Sequence, residues 1–198
     1  MKKILLLLSN GFEAYEAAVF TDIIGFSHNG GFEVEIESVG LHEKLACAFG
    51  FSVLPNRLLQ DISVDNYDAL AIPGGNSASR FYEDASTENF LDTIRKFDLA
   101  QKPIAAICTG GIPIARAGVL AGRHGTTFPG KRQMEMASYK VIVLAQDIVI
   151  DDNIITSSSP KTGIQVTFKL LEMLLPEKNF DPIRKFFIGA ADAPGHLV

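Results

Sequence analysis

The chain has 198 residues, 47% hydrophobic and 21% charged, with a formal net charge of −5. That length and balance predict one globular domain over 1–198 with a sizeable core. The acidic charge, without any basic cluster, excludes a nucleic-acid surface, and no apolar run is long enough to span a membrane. The two cysteines, Cys47 and Cys108, are too few for a disulfide framework, which fits a reducing cytoplasmic setting.

In chain order, Lys2-Lys3 and the apolar run Ile4 to Leu8 imitate the start of a signal peptide. The run is short and acidic residues follow before any small-residue cleavage site, so a buried first strand is expected. Ser9-Asn10-Gly11-Phe12 turns the chain, and Glu13 to Ser27 reads as a helix stopped by Asn29-Gly30-Gly31. Phe32 to Val39 alternates apolar and acidic residues, as a strand exposed on one face does. Leu45 to Leu54, interrupted by Gly50, reads as a hairpin. Ala69 to Ile72 is a short apolar strand ending at the turn Pro73-Gly74-Gly75-Asn76.

Phe81 to Leu99 is predicted largely helical, and Pro103 introduces the strand Ile104 to Ile107. Gly122 to Gly125 reads as a turn, Tyr139 to Leu144 and Asp147 to Thr156 as strands, and Asp151-Asp152-Asn153 as a hairpin turn. Thr162 to Leu175 reads as a helix, Pro182 to Ile188 as a last short one, and the rest as a loose tail. Strands alternating with helices predict an α/β fold: a flavodoxin-like three-layer sandwich, mostly parallel, with helices on both faces.

Residues 103–120, PIAAICTGGIPIARAGVL, carry the clearest chemical signal. An apolar strand turns at Cys108 into Thr109-Gly110-Gly111 and then a helical pattern, the design of a nucleophile elbow. Backbone N–H groups and a helix start there favour a thiolate. A buried cysteine that only fills space at a strand end is the alternative. Ligands of open α/β sheets sit beyond the carboxyl ends of the strands. Asn10 to Glu16, Gly74 to Asn76 and Cys108 to Gly111 can therefore converge.

AAICTGG (105–111), IPGGN (72–76) and GFEAYEA (11–17) together resemble the ThiJ/PfpI superfamily. This group has a class I glutamine amidotransferase-like fold and includes the parkinsonism-associated deglycase, PfpI-type proteases and isonitrile hydratases. The resemblance implies Cys108 as nucleophile and Glu16 as the acidic partner at its sulfur. It implies the backbone N–H groups of Gly75 and Thr109 as an oxyanion hole. Glu13, Gly74, Asn76, Gly110, Phe128 and Ser158 are implied as substrate-site neighbours, and a homodimer is expected. Phe20, Ile24, Phe49 and Phe51 are its apolar candidates, though each also suits a core.

Each role has a plainer alternative. Glu16 can be a first-turn helix acid, with Glu13 the true partner. Gly74 and Gly75 can serve only the turn, Thr109 can cap a helix, and Cys47 suits strand packing.

Two departures narrow the chemistry. Phe128 stands where many members have histidine in Thr-Thr-His-Pro, and Thr109 stands where the protease-like members have one. Peptidase chemistry is therefore not expected. His124 reads as a solvated turn residue. His28, His42 and His196 show no metal-ligand spacing, so no metal is expected. No cofactor is expected either, since no phosphate or dinucleotide fingerprint is present. The resemblance implies a lyase or hydrolase acting on a small electrophile, foremost a glyoxalase or deglycase type acting on 2-oxoaldehydes. Isonitrile hydration is a second expectation, and a redox-sensing or stress protein using an oxidisable Cys108 a third.

Overall fold

The apolar run at the N-terminus lies near the middle of a sheet, where both faces of a strand are covered. In the computed structural model, which describes residues 1–189, β1 (Lys2–Leu8) precedes helix α1 (Ala14–Asn29) and β2 (Val34–Gly40). The hairpin β3 (Leu45–Ala46) and β4 (Ser52–Val53), then β5 (Arg57–Leu58) and β6 (Ala69–Ile72), follow. After α2 (Phe81–Asp84) and α3 (Glu88–Leu99) come β7 (Ile104–Ala106), α4 (Gly111–Arg116) and β8 (His124–Gly125). The remainder is α5 (Lys131–Ser138), β9 (Ile142–Val143), β10 (Ile148–Asp151), β11 (Ile154–Ser157), α6 (Gly163–Leu174) and α7 (Asp181–Ile188).

The central sheet has the order β10-β11-β7-β6-β1-β2-β5 and is parallel except for the β10–β11 hairpin. Strands β2-β1-β6-β7-β11 reproduce the flavodoxin-like order, with the direction of winding reversing between β1 and β6. Side chains alternate between two cores. Ile4, Leu6 and Leu8 pack with Phe20, Ile23 and Phe168 of α1 and α6. Leu5 and Leu7 join Phe90, Ile94 and Phe97 of α3 and Ile112 of α4. These faces complete the expected three-layer sandwich.

Several expected elements differ. The helical stretch from Phe81 breaks into α2 and α3, where the Thr87 hydroxyl donates to the Asp84 carbonyl. The elbow helix stops at Arg116, ahead of Gly118 at φ +85°. Gly122 to Gly125 is not only a turn, because His124–Gly125 pairs in parallel with β9. The strand expected from Tyr139 shrinks to Ile142–Val143, because α5 runs to Ser138 and Tyr139 caps it. Helix α5 itself was not anticipated. Phe20 and Ile24 belong to the core at 0% exposure, which removes them from any dimer surface, whereas Phe49 and Phe51 are exposed. The expected loose tail and His196 lie outside the described residues. Among those residues, no helix is long and apolar enough to cross a membrane.

Candidate active site

Three strand ends meet at the winding reversal. Beyond β1, Gly11 and Phe12 lead to Glu13, whose backbone N–H donates to the Gly74 carbonyl at 2.7 Å. Beyond β6, Gly74 and Gly75 lie against the elbow that follows β7. A cavity of about 390 Å³ opens here, lined by Cys108, Thr109, Glu13, Glu16, Gly75 and Asn76. Ser77, Tyr82, Phe128, Arg132 and Pro160 complete it.

Cys108 sits at φ +55°, in the left-handed region where a side chain costs about 1–2 kcal/mol. Neighbours hold it there: the Ile107 N–H donates to the Ile72 carbonyl at 3.1 Å, and the Thr127 hydroxyl donates to the Cys108 carbonyl at 2.9 Å. A Cβ on Gly110 would stand 2.7 Å from the Ile72 carbonyl oxygen. Only glycine lets the elbow approach β6 this closely. Gly110 thus shapes the turn and does not line the cavity.

Glu16 is 1% exposed, and its carboxylate accepts the Gly74 N–H at 2.5 Å. Burial lifts its pKa from 4.5 to about 7; the Gly74 and Cys108 hydrogen bonds oppose the rise and the Glu13 charge adds to it. Glu13 is only half-buried at the head of α1. The two acids therefore differ in their surroundings, Glu16 buried and Glu13 half-buried.

The sequence suggested an elbow that favours a thiolate. Here burial pushes the Cys108 thiol up, and the Glu16 charge pushes it further, while the Thr109 N–H pulls it down. The cysteine is 8% exposed, and desolvation outweighs the backbone donors. Two groups this close titrate as a pair, which holds two protons below about pH 7 and one above it.

The expected oxyanion hole also differs. The Gly75 N–H donates to the Thr109 hydroxyl oxygen at 2.8 Å. That hydroxyl donates back to the Gly75 carbonyl at 2.6 Å. Thr109 thus clamps the two strand ends together and occupies the Gly75 donor. Asn76 caps the next turn by accepting the Ser79 N–H at 3.0 Å while still lining the cavity.

Ser158, expected at the site, does not line the cavity; its hydroxyl donates to the Asp147 carboxylate at 3.1 Å. Pro160 lines the cavity from that loop instead. Phe128 lines it where a histidine was absent, and it is 47% exposed. His124 pairs with Asp151 at 2.9 Å and His42 with Asp84 at 3.0 Å. Among the described residues, no histidine lines the cavity. No cluster able to hold a metal occurs among the described residues.

Tyr82 and Arg132 escaped the sequence reading. Tyr82 is on α2, and Arg132 is on the unanticipated α5. The run KRQMEMAS, rich in helix formers after Pro129-Gly130, was the available signal. The Arg132 guanidinium lies 4.1 Å over the Tyr82 ring and donates to the Ser77 hydroxyl at 2.6 Å.

The fold and site together define a flavodoxin-like α/β protein with a cysteine elbow and a buried acid partner. Residues 2–173 match the DJ-1/PfpI family, and the chain belongs to that family. It is 32% identical over 137 residues to "Glutathione-independent glyoxalase DJR-1.2" of Caenorhabditis elegans, covering 69% of this chain and 71% of that one. It is 33% identical over 111 residues to "Deglycase PfpI" of Pyrococcus furiosus, covering 56% of this chain and 64% of that one. The crystal structure of Drosophila melanogaster DJ-1beta superimposes with a TM-score of 0.81 at 24% identity, covering 94% of this chain and 97% of that one.

Proposed function

We propose that this protein is a cysteine-dependent enzyme of the glyoxalase or deglycase type that converts 2-oxoaldehydes to 2-hydroxy acids. The observation that carries the reading is the buried Glu16, raised to about 7, in one cavity with Cys108. A carboxyl poised near neutrality both takes and returns protons. The glyoxalase and deglycase relatives support the same class of substrate.

In this mechanism Glu16 accepts the Cys108 proton and the sulfur adds to the aldehyde carbon. Glu16 returns the proton to the resulting alkoxide, which completes a hemithioacetal. Glu16 next removes that carbon's hydrogen as a proton while the electron pair moves to the ketone, and it delivers the proton to the former ketone oxygen to give an enediol. A proton then enters at the neighbouring carbon while one hydroxyl proton leaves, giving the thioester of a 2-hydroxy acid. Water hydrolyses the thioester, releases the acid and restores the thiol. The sum is one 2-oxoaldehyde plus one water to one 2-hydroxy acid, with no external oxidant or reductant.

A redox sensor needs an exposed, low-pKa thiol. Cys108 is 8% exposed and pushed up by burial, so the enzymatic reading is preferred. Pairing of two copies belongs to the same proposal, with Phe49, Phe51 and Leu54 as exposed apolar residues available for it; sedimentation of wild type and Phe51→Ser tests it. The activity test is methylglyoxal turnover by wild type, Cys108→Ser and Glu16→Gln. Loss in both variants is expected, and unchanged turnover in either one overturns the mechanism.

A further inference from the structure

The cavity has a charged end that the proposed chemistry does not use. Arg132 and Arg116 flank the Tyr82 ring, with guanidinium carbons 4.1 Å and 5.2 Å from its centroid. Both arginines donate to the Glu135 carboxylate, Arg116 at 2.6 Å. Two cations share one anion, so the cluster keeps a net positive charge. Of the two arginines, only Arg132 reaches the cavity wall. The Tyr82 ring beneath it lines the cavity, while its hydroxyl is buried toward Thr109. An arginine in a cavity wall, in a cluster with one more cation than anion, suits an anionic ligand group that accepts from its guanidinium.

We propose that Arg132, seated over the Tyr82 ring, binds a carboxylate on the substrate, so that the preferred substrates are 2-oxoaldehydes carrying a carboxylate at the end away from the aldehyde. This rests on the reading of the Cys108 cavity as the substrate site. A three-carbon dicarbonyl leaves much of about 390 Å³ empty. A longer chain fills more of it and extends toward the wall that Arg132 lines. The planar guanidinium fork suits a carboxylate, and the aromatic ring beneath it holds the fork in place.

Two measurements test this. The first compares kcat/KM for 4,5-dioxopentanoate and methylglyoxal. Wild type is expected to prefer the carboxylate-bearing probe about tenfold or more, and Arg132→Gln is expected to lower that ratio about tenfold through KM, with Arg132→Lys restoring part of it. The second is calorimetric binding of 4-oxopentanoate against uncharged 2-pentanone, which needs no turnover. Tighter binding of the anion by wild type, lost in Arg132→Gln, supports the inference even if neither aldehyde turns over; that combination overturns only the glyoxalase reading. Equal binding of the two ketones by wild type overturns the inference whether or not Arg132→Gln folds. Turnover with a probe preference that Arg132→Gln leaves unmoved overturns it as well.

Discussion

The Glu16 carboxylate accepts the Gly74 N–H at 2.5 Å and is 1% exposed, so one buried acid ties the first helix to the end of β6. Its surroundings carry a thermodynamic consequence. The unfolded chain releases the Glu16 proton near pH 4.5, whereas the folded chain holds it to about 7. Between those values the folded state binds more protons, so this group makes stability fall as pH rises and then level off above the folded value. The loss amounts to about 3 kcal/mol. Glu16→Gln removes it. Denaturant unfolding at pH 4 and pH 8 is expected to show the Gln variant gaining about that much on wild type at the higher pH; a difference independent of pH would contradict a buried, proton-holding Glu16.

In the proposed mechanism the same pair sets the pH dependence of turnover. One proton must leave the Glu16–Cys108 pair before sulfur can attack, and it leaves near pH 7 whichever of the two atoms gives it up. kcat/KM for methylglyoxal is therefore expected to rise through a single ionisation near 7. It should then stay level into the alkaline range, because the second proton is held by a thiol that burial pushes up. A profile that falls through neutral pH would contradict this assignment.

Thr109 joins the elbow to β6 through one hydroxyl that accepts from the Gly75 N–H and donates to the Gly75 carbonyl. Thr109→Ser keeps both bonds and is expected to retain stability within about 0.5 kcal/mol. Thr109→Val puts a methyl in place of the hydroxyl and leaves two backbone groups unpaired. That is expected to cost about 1–3 kcal/mol, read as a lower midpoint in denaturant. Equal midpoints for the two variants would show that the clamp contributes nothing.

The parts of the site legible in the sequence are those written into single strand ends. Cys108 follows an apolar strand and precedes glycines, and Gly74-Gly75 ends another, so local chemistry marks both. Glu16 against Glu13 was open, because residues three apart share one helix face. Burial separates them only once α1 packs under the turn after β6. Arg132 enters from an element whose pattern faces solvent, since of α5 only Met136 is buried, and Tyr82 from the four-residue helix α2. Their place in the cavity comes from tertiary packing, which no window of the sequence contains. Ser158 shows the opposite limit, since its loop reaches the cavity through Pro160 while the serine turns to Asp147.

Gly75 gives the sharpest steric test of the convergence of strand ends. A Cβ there would stand 2.3 Å from the Gly11 carbonyl oxygen and 2.4 Å from the Phe81 ring. The first neighbour is backbone, so relief requires the loops after β1 and β6 to separate, and these loops hold Glu16 and Thr109 in register with Cys108. Gly75→Ala is expected to cost about 1–3 kcal/mol, the range for overpacking a tight site, and to lower methylglyoxal turnover out of proportion to that loss. Gly25 in α1 is the matched control, with open space around its missing Cβ and an ordinary helical φ. Gly25→Ala is expected to raise stability by about 0.5–1 kcal/mol, because alanine restricts the unfolded chain and favours the helix. Melting curves and turnover for both variants check the pair, and equal behaviour would mean that the loops are not packed at Gly75 as described.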